Sequence, residues 1–288
     1  MKKTQIILIV IALAATAGLF FWGDTVGPKK PQQAAQADNH TDHLDFDKLK
    51  AGAYASLDAR RQQYITSLEN EVKRGDVKAQ QMDIYSRLAG FWKDSVPNPV
   101  LHYYYTALRS ELDNSEKSLT FAAHSILGYL PYAHNTAEQV WLANKGRELF
   151  EKAFELNAGN DSTIVGLGGC IIYGAESKEG PMAGIMKVRS VAERDSTNLF
   201  AQYMLGVGGM VSGQYDKAAQ RFEKVAKAQP KNLEVQFKLA EAYELSGNNA
   251  KAIEWYQKIM ENVDVPEMKS EILKRIEQLK TAEAGKAK

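Results

Sequence analysis

Apolar side chains recur at spacings of three and four residues from about residue 46 almost to the end of the chain. This is the period of amphipathic α-helices, and no stretch shows the alternation that is typical of a β-strand. Proline interrupts the pattern at Pro97 and Pro99, where the missing amide hydrogen ends a helix. The connections between the predicted helices are short, which favours antiparallel neighbours. The pattern therefore predicts an all-α fold built from helical hairpins.

The first part of the chain is predicted to hold five helices. The pattern places the first from about Phe46 to Lys73 and the second from Val77 to about Lys93. A third helix follows the proline break, and Asn114 or Ser115 caps a fourth, since both residue types accept hydrogen bonds from the first turn of a helix. A fifth helix is predicted at 137–156.

Further along the chain the same residue types return after 34 residues, and a period of this length is a signature of helical repeats. The unit that begins at Leu199 contains Leu205, Gly206, Ala218, Phe222 and Pro230. The next unit contains Leu239, Tyr243, Ala252 and Tyr256. An earlier unit opens with Leu167 and Gly168. Small residues allow two helices to approach closely, and the aromatic residues fill the space towards the next hairpin.

This pattern resembles the tetratricopeptide repeat family, which places a Leu-Gly pair, aromatic residues, alanines and a closing proline at such spacing. The resemblance is strongest from Leu199 to Val263 and extends back to Asp161. It implies a right-handed α-α superhelical solenoid of tetratricopeptide-like helical hairpins. The sequence departs from the family where Gln202 and Gln236 replace a large first residue and where Gly209 replaces an aromatic one.

These observations divide the chain into five segments. They are a signal anchor or transmembrane helix at 1–23, a flexible linker at 24–43, divergent helical hairpins at 44–136, repeats at 137–266, and a capping helix with a tail at 267–288. The linker has almost no large apolar side chain, so it cannot bury enough surface to fold. The capping helix, predicted from about Met268 to Ala282, carries a narrow apolar seam of Ile272, Ile276 and Leu279 that would cover the last repeat.

The amino terminus carries a targeting or membrane segment. An apolar run at 6–22 follows Lys2 and Lys3, and as a helix it would span about 25 Å. This signal-like start predicts a single-pass inner-membrane anchor with the bulk of the chain in the bacterial periplasm. The lysines do not decide the orientation, because Lys29 and Lys30 balance Lys2 and Lys3 across the run. The alternative is a signal peptide cleaved near Ala15-Thr16-Ala17, which would leave a soluble periplasmic protein. We favour the anchor because cleavage would leave the apolar residues 19–22 exposed.

Composition and motifs argue against catalysis and nucleic-acid binding. The chain has 36 Lys and Arg against 35 Asp and Glu, and no basic stripe is interleaved with aromatic residues. Its five histidines are scattered without the spacing of metal ligands, and Cys170 lies in an apolar run with no evident histidine partner. The sequence therefore predicts a protein that is not an enzyme, with no catalytic residues, no cofactor, no metal site and no nucleic-acid partner.

The resemblance places a binding groove on the surface that is lined by the first helix of each hairpin. The residues expected to line this groove are Val165, Ile172, Tyr173, Tyr203, Val207, Met210, Phe237, Glu241 and Glu244. They would form an apolar groove with an acidic end, suited to a peptide segment with hydrophobic anchors and basic residues. The prediction is a membrane-tethered scaffold that binds partner proteins during client handling or envelope assembly. The alternative is a self-associating homo-oligomer with a structural role in the envelope and no client.

Overall fold

The computed structural model describes residues 43–74, 77–177 and 180–286, and in these ranges the chain forms thirteen α-helices and no β-strand. The helices are α1 (Phe46–Ala55), α2 (Ala59–Arg74), α3 (Lys78–Gly90), α4 (Pro99–Asp113), α5 (Glu116–Tyr129), α6 (Thr136–Leu156), α7 (Asp161–Ile172), α8 (Pro181–Arg194), α9 (Leu199–Val211), α10 (Tyr215–Ala228), α11 (Leu233–Leu245), α12 (Asn249–Asn262) and α13 (Pro266–Lys286). A π-helical turn (Phe91–Ser95) follows α3, and a 3-10 turn (Leu130–Tyr132) follows α5. The predicted all-α class is confirmed.

The predicted membrane anchor lies outside the described residues, as does the predicted linker except for its last residue. Within the described ranges, no helix is both long enough and apolar enough to cross a membrane.

From α3 onwards, each helix packs mainly against the helices directly before and after it in the chain. The hairpins are α3–α4, α5–α6, α7–α8, α9–α10 and α11–α12. The first helices of successive hairpins also meet, as α5 meets α7 and α7 meets α9. This is the layout of a helical-repeat array, in which each repeat contacts its neighbours in the sequence.

The turns inside the last two hairpins have the same construction. Gly213 and Gly247 follow α9 and α11, and their backbone φ angles are +70° and +82°. Glycine adopts this left-handed conformation without the steric penalty that a Cβ would add. The next amide, that of Gln214, donates to the carbonyl oxygen of Gly209 at 2.8 Å, and the equivalent bond 34 residues later has the same length. Both helices therefore end in the hydrogen-bonding pattern of a Schellman motif.

Glycines inside the repeats let paired helices approach very closely. A Cβ atom added at Gly184 on α8 would lie 2.4 Å from the carbonyl oxygen of Gly168 on α7. A Cβ atom at Gly206 on α9 would lie 2.5 Å from the ring of Phe222 on α10, which is fully buried. Of the packing residues expected from the sequence, Leu167, Gly168, Leu205, Gly206, Ala218, Phe222, Leu239, Tyr243, Ala252 and Tyr256 are buried, whereas Pro230 is exposed.

Two glutamines stand where a large residue is expected near the start of a first helix, and both connect neighbouring hairpins. Gln202 and Gln236 are buried, and each donates its side-chain amide to a carbonyl oxygen in the turn before its own helix. The acceptors are the carbonyl oxygens of Ser196 at 3.0 Å and Pro230 at 2.7 Å. Buried polar groups need such partners. Hydrogen bonding therefore holds the hairpins together where a large side chain would do so by packing.

The amino-terminal region differs from the prediction, because the single helix expected at 46–73 is in fact two helices. A turn at 56–58 separates α1 from α2. The side chain of Asp58 accepts a hydrogen bond from the amide of Arg61 at 2.9 Å and so caps α2. Leu57 is buried within the turn itself. The apolar pattern therefore continues through the break, which is why the pattern alone does not reveal it.

A hydrogen-bonded cluster around Glu69 joins α1, α2 and α4. The hydroxyl groups of Tyr54 and Tyr105 donate to Glu69 Oε1 at 2.8 and 2.6 Å, and Lys50 Nζ lies 2.8 Å from the same oxygen. Burial acts to raise the pKa of the Glu69 carboxyl group, but these three donors outweigh it and hold the pKa below its ordinary value. The cluster therefore contains a charged carboxylate that attaches α1 to the helices beneath it.

At the other end, α13 packs against α12 and covers the last hairpin. Ile272, Ile276 and Leu279 are buried, so the capping seam predicted from the sequence is confirmed. The helix is longer than expected at both ends, since it starts at Pro266 and continues to Lys286.

Candidate functional site

A pocket of about 320 Å³ opens between the first helices of successive hairpins, a volume at the lower end of the range for ligand sites. We call it the first-helix pocket. Its lining residues are His124, Leu127 and Gly128 of α5, Pro131, Tyr173, Leu199, Phe200, Tyr203 and Met204 of α9, Val225, Gln229, Asn232, and Glu234 and Val235 of α11. The pocket therefore draws on the first helices α5, α9 and α11, on Val225 of the second helix α10, and on the turn that ends α7.

A hydrogen bond lies in one wall of this pocket. The hydroxyl group of Tyr203 donates to Glu234 Oε1 at 2.6 Å, and Tyr173 lines the pocket beside Tyr203. Burial is the main cause that raises the pKa of both tyrosines above the ordinary value, and Glu234 adds to the effect. Both hydroxyl groups are therefore protonated at neutral pH. The wall ends in the carboxylate of Glu234.

His124 forms the opposite wall and is uncharged at neutral pH. Burial lowers the pKa of its imidazole below the ordinary value of 6.5. Its Nε2 atom lies 2.8 Å from Ser162 Oγ, and its ring lies 4.9 Å from that of Phe150 and 5.3 Å from that of Phe200, centroid to centroid. The histidine therefore acts as part of an aromatic wall, and it adds no positive charge to the pocket.

Two exposed aromatic side chains border the pocket. Phe121 is 73% exposed and lies one turn before His124 on the same face of α5. Tyr132 is 62% exposed, and it raises the pKa of both Tyr173 and Tyr203 electrostatically, which places it close to them. Large apolar side chains exposed beside a cavity are typical of an interaction surface.

Three of the residues predicted to line the groove do not reach the surface. Val165, Ile172 and Val207 are at most 4% exposed, because they belong to the hydrophobic core between the hairpins. The prediction that they contact a ligand is therefore wrong. The helices α7 and α9 are enclosed on most sides, so they offer less open surface than the repeat pattern suggests.

The other predicted groove residues are divided between the pocket and the surface beyond it. Tyr173, Tyr203, Met210 and Phe237 are half-buried, and Glu241 is exposed. Of these, Tyr173 and Tyr203 line the first-helix pocket, whereas the other three lie outside it. The structure thus brings together only the part of the predicted groove that lies nearest to α5.

The acidic end of the predicted groove is partly neutralised by the capping helix. Glu244 forms a two-pronged ion pair with Arg275 of α13, in which Nε lies 2.9 Å from Glu244 Oε2 and Nη2 contacts Oε1. It also accepts a hydrogen bond from the hydroxyl group of Tyr256 at 3.3 Å. Glu244 is therefore engaged within the protein, and its carboxylate is not available to a partner as the sequence suggested.

Sequence reasoning missed the contribution of α5, which supplies His124 and Gly128 to the pocket. The repeat pattern fades before residue 139, so it assigns no groove positions to this helix. One signal was present in the sequence. Phe121 lies off the apolar stripe of α5, which is formed by residues such as Leu119 and Ile126. A large aromatic residue on the polar side of an amphipathic helix indicates a contact outside the core.

The described part of the chain holds no group of His, Cys, Asp and Glu side chains that could bind a metal ion. His40 lies outside the described residues, and His43 is exposed. Cys170 is fully buried, and burial raises the pKa of its thiol well above the ordinary value, so it is not a reactive thiolate at neutral pH.

Several solved structures match much of this chain. The MamA protein, in its crystal structure, has 18% sequence identity to this chain. The match covers 64% of this chain and 92% of that chain, with a TM-score of 0.40. YrrB, described as a tetratricopeptide repeat protein with an unusual peptide-binding site, has 18% sequence identity to this chain. The match covers 73% of this chain and 97% of YrrB, with a TM-score of 0.40. MamA from Desulfovibrio magneticus RS-1 has 15% sequence identity to this chain. The match covers 65% of this chain and 96% of that protein chain, with a TM-score of 0.42. At such TM-scores the likeness says nothing about function.

A comparison with curated proteins finds no relative. The sequence itself matches the profile of the tetratricopeptide repeat family at residues 211–270, which run from the end of α9 into α13. This segment contains the hairpin α11–α12, the helix α10 and the glycine turns described above. The match thus identifies tetratricopeptide repeats at residues 211–270.

Proposed function

We propose that the chain is a scaffold that binds an extended segment of a partner protein in the first-helix pocket. The observation that carries the proposal is an open pocket with an aromatic rim on the face where the first helices meet. Arrays of helical repeats use this kind of extended surface for protein binding. The pocket is too small for a folded domain, but it is large enough for one or two side chains of an extended segment.

The surroundings of the pocket support this function because they are fixed before a ligand binds. Gly206 packs against the ring of Phe222 behind the pocket, and Gln202 ties the start of α9 to the turn before it. A site whose walls are held in place loses little conformational entropy when a ligand binds. The exposed rings of Phe121 and Tyr132 would then contact apolar side chains of the segment on either side of the pocket.

We also propose that the scaffold is tethered to the inner membrane and faces the periplasm. The apolar run at 6–22 and its signal-like position support this proposal. The lysines do not set the orientation, because Lys29 and Lys30 balance Lys2 and Lys3 across the run. The test is to express the chain with a carboxy-terminal tag in a Gram-negative bacterium and to wash the membranes with alkaline carbonate. We expect the chain to stay in the membrane and the tag to be cleaved by protease added to spheroplasts. Release into the soluble fraction would contradict the tether.

A photo-crosslinking experiment tests the binding site. A benzophenone amino acid would replace Phe121 beside the pocket and, as a matched control, Met186, which is also exposed but lies on the second helix α8. We expect covalent adducts with a partner protein from position 121 and few from position 186 when the cells are irradiated. Both side chains are exposed, so neither replacement should disturb the core.

Three outcomes would change the proposal. Adducts from position 186 alone would place the interaction on the second helices. The absence of adducts from both positions would contradict partner binding at either surface. An adduct of twice the mass of the chain from position 121 would instead support the alternative in which the protein associates with itself.

A further inference from the structure

We propose that the first-helix pocket binds a cationic side chain of the partner segment, and that arginine is the residue it fits best. This inference rests on the proposed function, because it names the anchor residue of the segment that the pocket holds. The charge of the pocket, its aromatic walls and the cost of the alternative anchors support it.

The charge of the lining is one-sided. Among its fourteen residues are one carboxylate, that of Glu234, and no lysine or arginine. The neighbouring His124 is neutral at pH 7. The pocket therefore carries a net negative charge, which attracts a cation and repels an anion.

Three carboxylates that join helices are each paired with a cation. Glu244 is paired with Arg275, Glu69 with Lys50, and Asp161 with Arg194. Glu234 receives a hydrogen bond from the hydroxyl group of Tyr203, and the described residues provide it with no ion pair. Its charge is thus left for a group that comes from outside the chain.

The aromatic rings of the pocket also favour a cation. Tyr132, Tyr203 and Phe200 lie within or beside the lining, and a cation over the face of such a ring is attracted by the ring's electrons. The same contact occurs elsewhere in this chain, where Lys258 Nζ lies 4.4 Å from the centroid of the Trp255 ring. A guanidinium group is planar, so it can stack on a ring and donate to a carboxylate at the same time, which an ammonium group does less well.

The alternative anchors fit less well. An acidic side chain would bring a second carboxylate close to Glu234, and like charges at short distance destabilise a complex. A purely apolar side chain would cover Glu234 and remove its water without offering a partner, which is costly for a charged group. An arginine instead exchanges that water for an ion pair and covers the aromatic surface with the methylene groups of its side chain.

The experiment uses the full chain in mild detergent and a set of fluorescent nine-residue peptides. Leu and Phe flank a central residue that is Arg, Lys, citrulline, Leu or Glu. Citrulline has the shape of arginine without its charge, so it isolates the contribution of the charge. Fluorescence anisotropy gives the affinity for the unaltered protein, for Glu234→Gln and for Glu193→Gln, an exposed carboxylate on the second helix α8 that serves as the control.

We expect the Arg peptide to bind at least about tenfold more tightly than the citrulline peptide, with Lys between them. Glu234→Gln should remove this difference by weakening only the Arg and Lys peptides, and Glu193→Gln should change no affinity by more than about twofold. Circular dichroism and the melting temperature should stay unchanged, because Glu234 is exposed.

Two outcomes would overturn the inference in distinguishable ways. If Arg and citrulline peptides bind equally well, or if Glu234→Gln does not affect the Arg peptide, the cationic anchor is wrong while peptide binding stands. If no peptide binds whatever its central residue, the proposed function fails together with the inference.

Discussion

The two ends of the described chain are held together by different means. In the hairpins α7–α8 and α9–α10, paired helices approach closely at glycines, as Gly184 does against the backbone of Gly168. In α1 to α4 the helical glycines Gly52 and Gly90 have open space around them. There the helices meet through buried aromatic rings and through the hydrogen bonds to Glu69. Helices therefore pack closely by two means in this chain. Glycines allow close contact in the repeats, and large aromatic side chains interlock in α1 to α4.

The difference matters for function because the pocket lies on the side of the repeats. Its lining comes from α5, α9, α10 and α11 and from connecting turns, and no residue of α1 to α4 contributes to it. The following changes test this comparison, in order of decreasing expected effect.

Phe222→Ala should cause the largest loss of stability, since it removes a fully buried ring from the gap that Gly206 leaves. Large-to-small changes of this kind cost about 3–5 kcal/mol. Urea unfolding followed by circular dichroism measures the loss. Phe121→Ala is the matched control, because its ring is exposed, and it should change the free energy of unfolding by less than about 0.5 kcal/mol. Equal effects of the two changes would mean that the ring contact with Gly206 is not important.

Gly184→Ala should destabilise the repeats by about 2 kcal/mol, because the new methyl group would press on the carbonyl oxygen of Gly168. Gly52→Ala makes the same chemical change in α1, where no atom lies within 4 Å of the added Cβ. This control should gain up to about 1 kcal/mol, since alanine favours a helix more than glycine does. Urea unfolding of both variants gives the two values. A stable Gly184→Ala variant would show that helices α7 and α8 can move apart at little cost.

Glu69→Ala should weaken the amino-terminal region by about 1.5 kcal/mol, because Tyr54, Tyr105 and Lys50 all lose their common acceptor. Hydrogen exchange should become faster in α1 and stay unchanged in α9. The exposed Glu71 lies on the same helix, and Glu71→Ala is the control. An equal increase of exchange in α9 would contradict the view that the two regions are held together independently.

The smallest effect concerns pH and His124. Because burial lowers the pKa of this histidine in the folded protein, the unfolded chain binds a proton more readily below the ordinary pKa of 6.5. The stability contributed by the neutral form is therefore fully present above pH 6.5 and is lost as the pH falls towards the lower folded value. The free energy of unfolding should decrease less between pH 7 and pH 5.5 in His124→Gln than in the unaltered protein. An identical pH dependence of both proteins would contradict the burial of this side chain.

The sequence predicts the repeat half well because the same physical requirement returns every 34 residues. Gly206, Phe222 and Tyr256 occupy packing positions that cannot be identified from one repeat alone. They can be identified because similar residues recur at the same positions of other repeats. The break between α1 and α2 could not be found in this way. It depends on a buried leucine in a turn, which keeps the apolar period intact across the change of direction.

The binding surface was predicted only in part, and the reason lies in burial. The position of a residue in a repeat indicates the face of the helix on which it lies. Tyr173 and Tyr203 are predicted as groove residues for this reason. Whether the face is open depends on what the neighbouring hairpins cover, and Val207 is covered. The ion pair between Glu244 and Arg275 joins residues 31 positions apart, and no local pattern indicates it.

Hydroxyl-radical footprinting of the full chain, with and without the Arg-centred peptide, tests most directly whether the first-helix pocket is the binding site. Phe121 and Tyr132 are exposed beside the pocket, and Tyr64 and Met186 are exposed and do not belong to its lining, so all four side chains should react in the free protein. We expect the peptide to protect Phe121 and Tyr132 and to leave Tyr64 and Met186 as reactive as before. Protection of Met186 with continued oxidation of Phe121 and Tyr132 would contradict the account.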